Sequence, residues 1–313
     1  MKKLIFGLVL MSLLSGTVFA LEDTGTKVVD NFNSIANNCN TNAIESYYCS
    51  TLRSSIPLLG RTEGVGCAGS AAVPTANCIT IVNVNGGDKA VRLHIENDPG
   101  SGFSFTQLSG VRDAMPSGPM RWLPAAGTKI IFKVKARFSP NYQAATANGS
   151  VGFGLWNMPT FLLSGPPFIG VGPAKAVWFT WTDADYMGGT YTGIHGSYFN
   201  KSTPNTVQDG AVAFTGVDLT QWATYKLVWK ADRSGNQTIK YVVEQHGNKT
   251  VQTLAVNPPI TQALSVVLWN DCSVLTTPTT GGCQQPNPGS PQNVDITRMV
   301  IKHVGMDADE DSD

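Results

Sequence analysis

Tryptophan and threonine alternate around residue 180, and this is the first place where the sequence suggests chemistry. Residues 176–182 read AVWFTWT, so Trp178, Thr180 and Thr182 share one face of a predicted strand and the intervening apolar residues share the other. A tryptophan ring stacks on the CH face of a pyranose, and nearby hydroxyl groups align the hydroxyl groups of the sugar. We predict that these three residues line a ligand groove. Packing of Trp178 in a second core layer is the alternative.

Two carboxylates, Asp183 and Asp185, follow this strand and are separated by one residue. They have three candidate roles: an acid pair, ligands for calcium or for sugar hydroxyls, or turn residues that accept hydrogen bonds from nearby backbone amides. Calcium is therefore the one cofactor for which the sequence offers candidate ligands. No feature of the sequence requires a cofactor.

Two further aromatic and amide groups are candidates for the same groove. Trp156 and Asn157 follow Gly152 and Gly154, small residues that we expect to leave open space beside the aromatic ring. A second group, Trp269, Asn270 and Asp271, ends a predicted strand and offers a stacking platform with hydrogen-bonding groups. A buried tryptophan followed by a loop is the alternative for this second group. By contrast, Trp229 is expected to be a core residue.

The amino terminus is typical of an export signal. Lys2 and Lys3 precede an apolar stretch from residue 4 to 14, and residues 18–20 (VFA) resemble a cleavage site. We therefore predict a signal peptide over 1–20 and a secreted or periplasmic mature protein. Later segments fall short of the roughly 18 apolar residues that a membrane helix needs, so no membrane insertion is expected.

The cysteines fit an oxidising compartment, where disulfides persist. Their spacing favours pairs of sequence neighbours that clip long loops: Cys39 with Cys49, Cys67 with Cys78, and Cys272 with Cys283. The histidines are scattered without the spacing of a zinc site, so no metal centre of that kind is expected.

Charge excludes one class of partner. The chain has 22 Lys and Arg against 22 Asp and Glu, which leaves no net positive charge for binding a nucleic-acid backbone. Several of the acids lie in residues 306–313, which we predict to be an acidic disordered tail. The sequence does not indicate an oligomeric state.

Short, β-branched segments separated by turn residues predict an all-β fold. About a dozen strands are expected, and the range 128–138 (TKIIFKVKARF) shows their pattern, with alternate apolar residues on one face and mostly lysine and arginine on the other. We predict one domain over 21–305. Its first part, 21–87, is rich in cysteine and polar residues and is expected to be a leading strand followed by loops.

The order of these segments resembles a known family. The pieces NGSVGFGLWNMP (148–159), AVWFTWTDADYMGG (176–189), the long strand pair of 222–245, ALSVVLWND (263–271) and NVDITRMVIKHV (293–304) resemble the concanavalin A-like lectin/glucanase jelly roll. They are most similar to family 16 glycoside hydrolases and related exported bacterial proteins. The resemblance covers roughly 89–304 and implies a two-sheet antiparallel jelly-roll sandwich.

The resemblance does not extend to the catalytic motif. Family 16 enzymes carry Glu-x-Asp-x-x-Glu or Glu-x-Asp-x-Glu on one strand, and the corresponding strand here has Trp178, Thr180 and Thr182. Fragments similar to alginate lyases, Gly193-Ile194-His195 and Tyr198-Phe199-Asn200, lack the lysine of that family and are almost adjacent. We expect His195 to be a loop or edge-strand residue.

The prediction is therefore an exported lectin-like protein that binds a polysaccharide or glycan without catalysis. A hydrolase or lyase with an atypical active site is the alternative, and a surface adhesion or structural protein is the second alternative.

Overall fold

The computed structural model describes residues 27–30, 61–65, 79–84, 88–95, 103–109, 122–145, 147, 149–157, 160–161, 170–171, 175–182, 193–201, 208–273 and 292–311. Within them the elements in chain order are β1 (Lys27–Asp30), β2 (Arg61–Val65), β3 (Ile79–Asn83), β4 (Lys89–Ile95), β5 (Phe103–Ser109), β6 (Thr128–Phe138), α1 (Pro140–Gln143), β7 (Ser150–Trp156), β8 (Thr160–Phe161), β9 (Gly170–Val171), β10 (Lys175–Thr182), β11 (Gly193–Asn200), β12 (Gly210–Ala213), β13 (Ala223–Ala231), β14 (Gln237–Gln245), β15 (Asn248–Val256), β16 (Ser265–Ser273) and β17 (Gln292–Gly305).

Two antiparallel sheets contain nearly all of these strands. The described part of the first sheet has eight strands in the order β15-β14-β13-β6-β17-β4-β3, with β1 also paired to β17. The second has seven strands in the order β12-β11-β10-β7-β16-β5-β2. The short strands β8 and β9 pair with each other. The chain is therefore an all-β, two-sheet antiparallel sandwich, as the sequence predicts.

The core lies between the sheets and is rich in aromatic residues. Tyr225 on β13 contacts Phe153 on β7 and Phe179 on β10, with ring centroids 5.1 and 5.4 Å apart. These side chains come from alternate strand positions and are fully buried. Trp229, expected to be a core residue, is fully buried in the same cluster. Strand alternation therefore fixes which face of each sheet is interior.

Tight turns connect β13 to β14 and β14 to β15. His246 and Gly247 have φ values of 50° and 77° between β14 and β15, which is the left-handed pair that a tight hairpin turn requires. Between β13 and β14, the Asp232 carboxylate accepts hydrogen bonds from the backbone N–H groups of Ser234 and Asn236 at 2.8 and 2.9 Å. These turns fix the register of the hairpins.

One strand of the seven-stranded sheet is missing from the sequence prediction. Residues 193–200 form β11, which pairs with β10 on one side and β12 on the other, so His195 lies on an interior strand and the expectation of a loop or edge strand is wrong. Two glycines and several polar residues interrupt the alternation of apolar and polar residues that predicts a strand. Gly196 is required because a Cβ there would lie 2.4 Å from the Tyr241 ring.

The acidic end of the chain also differs from the prediction. Residues 306–311, expected to be disordered, lie against the outer face of the eight-stranded sheet, where the carbonyl groups of Met306 and Ala308 accept hydrogen bonds from Lys129 Nζ at 2.9 and 2.6 Å. The physical reason is charge, because the outer positions of β6 and β13 are lysines that need counter-ions.

Several expectations fall on residues that the structure does not describe. They are the signal peptide, most of 21–87, and all the cysteine side chains, so the three disulfides stay a prediction. Among the described residues, no helix has the length and apolar character to span a bilayer.

Candidate functional site

The outer face of the seven-stranded sheet carries a second apolar group, separate from the core. It contains Trp178 and Phe199, Val267 and Trp269, with Trp156 packed against them. On β10 the alternate residues Val177, Phe179 and Trp181 belong to the core between the sheets. The strand phase predicted from the sequence is therefore confirmed, and Trp178 faces outward. We call Trp156, Trp178, Phe199 and Trp269 the aromatic cluster.

The rings of the aromatic cluster contact one another directly. The Trp178 ring centroid lies 4.6 Å from that of Trp269, 5.3 Å from that of Phe199 and 6.1 Å from that of Trp156. Both inner indoles are also fixed by hydrogen bonds, since Trp178 Nε1 donates to Ser197 Oγ at 3.0 Å and Trp269 Nε1 donates to Ser150 Oγ at 2.8 Å. The cluster is therefore held in place at both its apolar and its polar atoms.

Glycines on the central strand β7 make room for these rings. Gly154 is paired with Trp178 and Gly152 with Trp269. A Cβ at position 154 would lie 2.5 Å from Trp178 Cα, and one at position 152 would lie 2.6 Å from Trp269 Cη2. The expectation that these glycines leave open space is wrong, because the two indoles fill it.

Exposure differs within the aromatic cluster. Trp178 is 8% exposed and Trp269 is 7% exposed, so an exposed platform at Trp178 is not what the structure shows, and the alternative of a second packed layer describes it better. Trp156 is only half-buried. The accessible edge of the cluster is therefore at Trp156.

Polar groups lie at the same end of the sheet as Trp156, but at strand positions that share the inward phase of the core residues. Asn157 Oδ1 accepts a hydrogen bond from the Lys175 backbone N–H at 3.0 Å, and Asn157 Nδ2 donates to Gln262 Oε1 at 3.3 Å. Lys175 Nζ donates to Asn200 Oδ1 at 2.6 Å. Burial lowers the pKa of Lys175, and the nearby charge of Asp209 partly offsets this effect. Asn157, expected in the groove, therefore lies at the end of the strands on the opposite side of the sheet from the Trp156 ring.

The other half of the outer face is polar and buried. Thr180 and Thr182 on β10 are 1% and 2% exposed, and Thr180 is in register with His195 on β11. His195 Nδ1 donates to the Gly193 carbonyl at 2.9 Å, which leaves Nε2 to accept a hydrogen bond from the Gln208 amide at 2.9 Å. Burial lowers the pKa of His195 to about 4, so the imidazole is neutral at pH 7.

Asn270 does not belong to this face. Its Oδ1 accepts a hydrogen bond from the Tyr142 hydroxyl at 2.7 Å, and its Nδ2 donates to the carbonyls of Leu93 and Gln292 at 3.1 and 2.9 Å. These contacts lie between the sheets, because residue 270 follows the outward Trp269 and strand neighbours alternate. The structure therefore places Asn270 in the core and not in the groove.

The structure does not describe the side chains of the three predicted acids. Asp183 and Asp185 lie outside the described residues. Asp271 is in register with Ser150 on β7, and its side chain is not described. Among the described residues there is no group of three or more histidine, cysteine or carboxylate side chains that suits a metal ion.

The sequence prediction also missed an acid that the register brings to this sheet. Glu63 on β2 pairs with Gln107 on β5, which in turn pairs with Trp269. Glu63 and His195 thus occupy one cross-strand row, five strand steps apart. At about 4.8 Å a step, roughly 24 Å separates their positions, too far for both to act on one bond. The polar, glycine-containing sequence RTEGV gave only a weak strand signal.

Comparisons with known proteins find similar solved structures but no relatives by sequence. No family model matches the chain, and no curated protein matches it. Among solved structures, the alginate lyase Aly36B is 13% identical over 90% of this chain and 99% of its own, with a TM-score of 0.48.

Two other solved structures give similar values. An endo-β-1,4-glucuronan lyase from the fungus Trichoderma reesei is 13% identical over 75% of this chain and 90% of its own, with a TM-score of 0.45. A lectin from Bauhinia forficata in complex with GalNAc is 9% identical over 79% of this chain and 99% of its own, with a TM-score of 0.42. At these scores none of them assigns an activity, and the fold is established by the chain's own two sheets.

Proposed function

We propose that the outer face of the seven-stranded sheet binds carbohydrate, in an exported protein of the concanavalin A-like jelly-roll class that does not cleave its ligand. The observation that supports this most is the aromatic cluster, in which three tryptophans lie together on a sheet face that is not the core. Large aromatic rings beside a few fixed polar groups are typical of sugar sites.

The accessible edge at Trp156 is where a sugar ring would stack. Trp178 and Trp269 support Trp156 from behind, because their own rings are nearly covered and their N–H groups are already bonded to serines. A buried aromatic layer keeps the outermost ring in one orientation, which lowers the entropy lost when a ligand binds. Asn157, Lys175 and Asn200 lie at the same end of the sheet but on its inward side, so they would contact only a ligand that extends past the ends of the strands.

The experiment compares Trp156→Ala with Trp222→Ala. Trp222 is a matched control because it is also half-buried but belongs to the other sheet, where Arg137 lies 4.8 Å above its ring. Loss of a stacking ring costs about 1 to 3 kcal/mol of binding free energy, so Trp156→Ala should weaken binding roughly tenfold or more to the best ligand on a glycan array. Equal losses in both variants would contradict a site at Trp156.

Binding without cleavage is the second part of the proposal. A retaining glycosidase needs two carboxylates about 5 Å apart, and the outward side chains of β10 are Trp178, Thr180 and Thr182. We expect no release of reducing sugar from β-glucans. If purified protein did release sugar and Asp183→Asn with Asp185→Asn abolished the release, the protein would be an enzyme and this part would be wrong.

A polysaccharide lyase centred on His195 is the second candidate function. The observation that favours it is the position of His195, which shares the outward face of β11 with Phe199 of the aromatic cluster; because the imidazole is buried and bonded to Gln208 through Nε2, Gln208 would have to move before this nitrogen could take a proton from a ligand. Tyr198, the nearest phenol on β11, faces the core instead. A lyase would generate unsaturated sugar ends that absorb ultraviolet light, and His195→Ala would abolish that signal.

A further inference from the structure

The outer face of the eight-stranded sheet is strongly basic, and this face is distinct from the proposed sugar site. The outward positions of four neighbouring strands carry the side chains that we call the cationic face: Lys129, Lys133, Lys135, Arg137, Lys226, Lys230, Lys240, Arg298 and Lys302. Two pairs of lysines are directly opposite each other, Lys133 with Lys226 and Lys129 with Lys230. Like charges in register destabilise a sheet, so this face needs anions.

Residues 306–311, which we call the tail, supply those anions in this structure. Glu310 forms an ion pair with Lys240 and lies 3.8 Å from Lys129. Asp311 forms an ion pair with Lys226 and lies 3.8 Å from Lys249. Each of the two carboxylates is therefore shared between two lysines. Asp295 and Glu244 are acids of the face itself and pair with Arg137 and Lys249, and the basic side chains still outnumber these two acids and the two of the tail.

The tail is attached by contacts that are easily exchanged. Asp307, Asp309 and Asp311 are exposed, and only Met306 and Glu310 are half-buried, so little apolar surface holds the segment down. The ion pairs of Glu310 and Asp311 contribute to holding the tail, but a segment with few apolar contacts opens at low cost once its charges are matched by another anion. The lysines underneath are different, because the side chains of Lys129 and Lys226 are only 4% and 3% exposed. The buried lysines therefore need anions nearby, and the tail that supplies these anions is held by few apolar contacts.

The cationic face ends at a surface cavity of about 250 Å³ that suits a sugar acid. Arg92 and Arg137 both contact the Asp295 carboxylate there, at 2.6 and 3.1 Å, so two guanidinium groups share one acid. Ser139 and Thr220 line the same cavity, where their hydroxyl groups donate to Asn141 Oδ1 and Asp218 Oδ1 and so present their oxygens as acceptors. Guanidinium groups bind carboxylates, and hydroxyl groups bind sugar hydroxyls.

We propose that the cationic face is a second binding site, for a linear polysaccharide built of uronic acids, and that the tail occupies this site in the absence of the polymer. Carboxylates are the groups that the lysines hold in this structure, and a polyuronate repeats such groups along one chain. The choice of a saccharide rests on the proposed function, whereas the preference for carboxylates rests on this face alone.

The experiment measures binding of polygalacturonate to full-length protein and to Glu310→Gln with Asp311→Asn. The double variant keeps the tail backbone and its hydrogen bonds to Lys129. Because a tethered competitor acts at an effective concentration of about millimolar, its weakening should raise affinity roughly tenfold. Asp307→Asn with Asp309→Asn is the control, because it removes the same charge from the same segment, and it should change affinity much less.

Further probes separate the possible outcomes. Binding should fall with added salt, and Lys133→Gln with Lys230→Gln should abolish the gain. If polyphosphate binds the double variant as tightly as polygalacturonate, the face is a general anion surface and the proposal is wrong. If neither polymer binds, the tail is only a structural counter-ion and the proposal is also wrong. The gain in polygalacturonate affinity caused by the double variant should be the same with and without Trp156→Ala, so failure of the sugar site is distinguishable from failure of this one.

Discussion

Trp178 lies at the centre of the aromatic cluster, where it contacts two other tryptophans and a phenylalanine. Its position on the outer face follows from strand alternation alone and is readable from the sequence. Its burial cannot be read from the sequence, because the rings that cover it come from other strands of the sheet. Trp178 is therefore a packed residue of the outer layer, and the half-buried Trp156 is the more accessible ring of the cluster.

Replacement of Trp178 tests this distinction. Because Trp178 is 8% exposed and hydrogen-bonded through Nε1 to Ser197, Trp178→Ala should lower the free energy of unfolding by about 3 to 5 kcal/mol. Urea denaturation measures the change. Trp222→Ala, from the half-buried ring on the other sheet, should cost far less. A Trp178→Ala protein as stable as the parent would show that the ring is not packed as described.

At the scale of strands, the sequence predicts the regular elements well. The strand at 128–138 coincides with β6 and the strand pair of 222–245 contains β13 and β14, because apolar residues alternate with polar or charged residues along these strands. Strand β11 was missed because Gly193, Gly196 and its polar residues have low strand propensity, and only pairing with β10 and β12 makes it a strand. Asn270 was assigned to the groove because alternation beyond Trp269 was not applied.

Strand β7 provides an element-scale prediction. Gly154→Ala would place a methyl group 2.5 Å from backbone and Cβ atoms of β10, which cannot move without breaking the β7–β10 ladder. Overpacking of this kind costs about 1 to 3 kcal/mol. Gly305→Ala at the end of β17 is the control, since nothing lies within 4 Å of a Cβ there. Thermal or urea unfolding should distinguish the two variants, and similar stabilities would mean that the Trp178 backbone does not lie over Gly154.

At the scale of the whole molecule, the two sheets present chemically different outer faces. One carries the aromatic cluster and the other carries the cationic face. The sequence indicated both patterns, through the tryptophans around residue 180 and the lysines of β6. It did not indicate that the acidic tail folds back onto the lysines, since that contact joins β13 and β14 to the end of the chain.

Acid should release the tail. Hydrogen bonding and charge from Lys226 lower the pKa of Asp311, with further lowering from Lys249 and Lys133. Burial raises the pKa of Glu310, but the hydrogen bond from Lys240 and the charges of Lys240, Lys129 and Lys230 outweigh it, so this pKa is also below its ordinary value of 4.5.

A carboxylate with a lowered pKa stabilises the folded state above its unfolded pKa, and this stabilisation is lost as the pH falls through the folded pKa. Stability should therefore decline as the pH falls from about 5 to 3, and Glu310→Gln with Asp311→Asn should make that decline shallower. Chemical denaturation at a series of pH values measures it. Identical pH dependence in both proteins would show that these ion pairs do not contribute.

The arrangement of β17 also constrains when the fold can form. This last strand lies in the interior of the eight-stranded sheet, between β6 and β4, and it pairs with β1 as well. Arg92 on β4 meets Asp295 on β17 across 203 positions of sequence. The emerging chain thus cannot complete this sheet until β17 has been synthesised, and contacts of such long range form slowly. A chain that ends before Gln292 would lack the strand that joins β6 to β4, so the eight-stranded sheet would be divided into two separate parts.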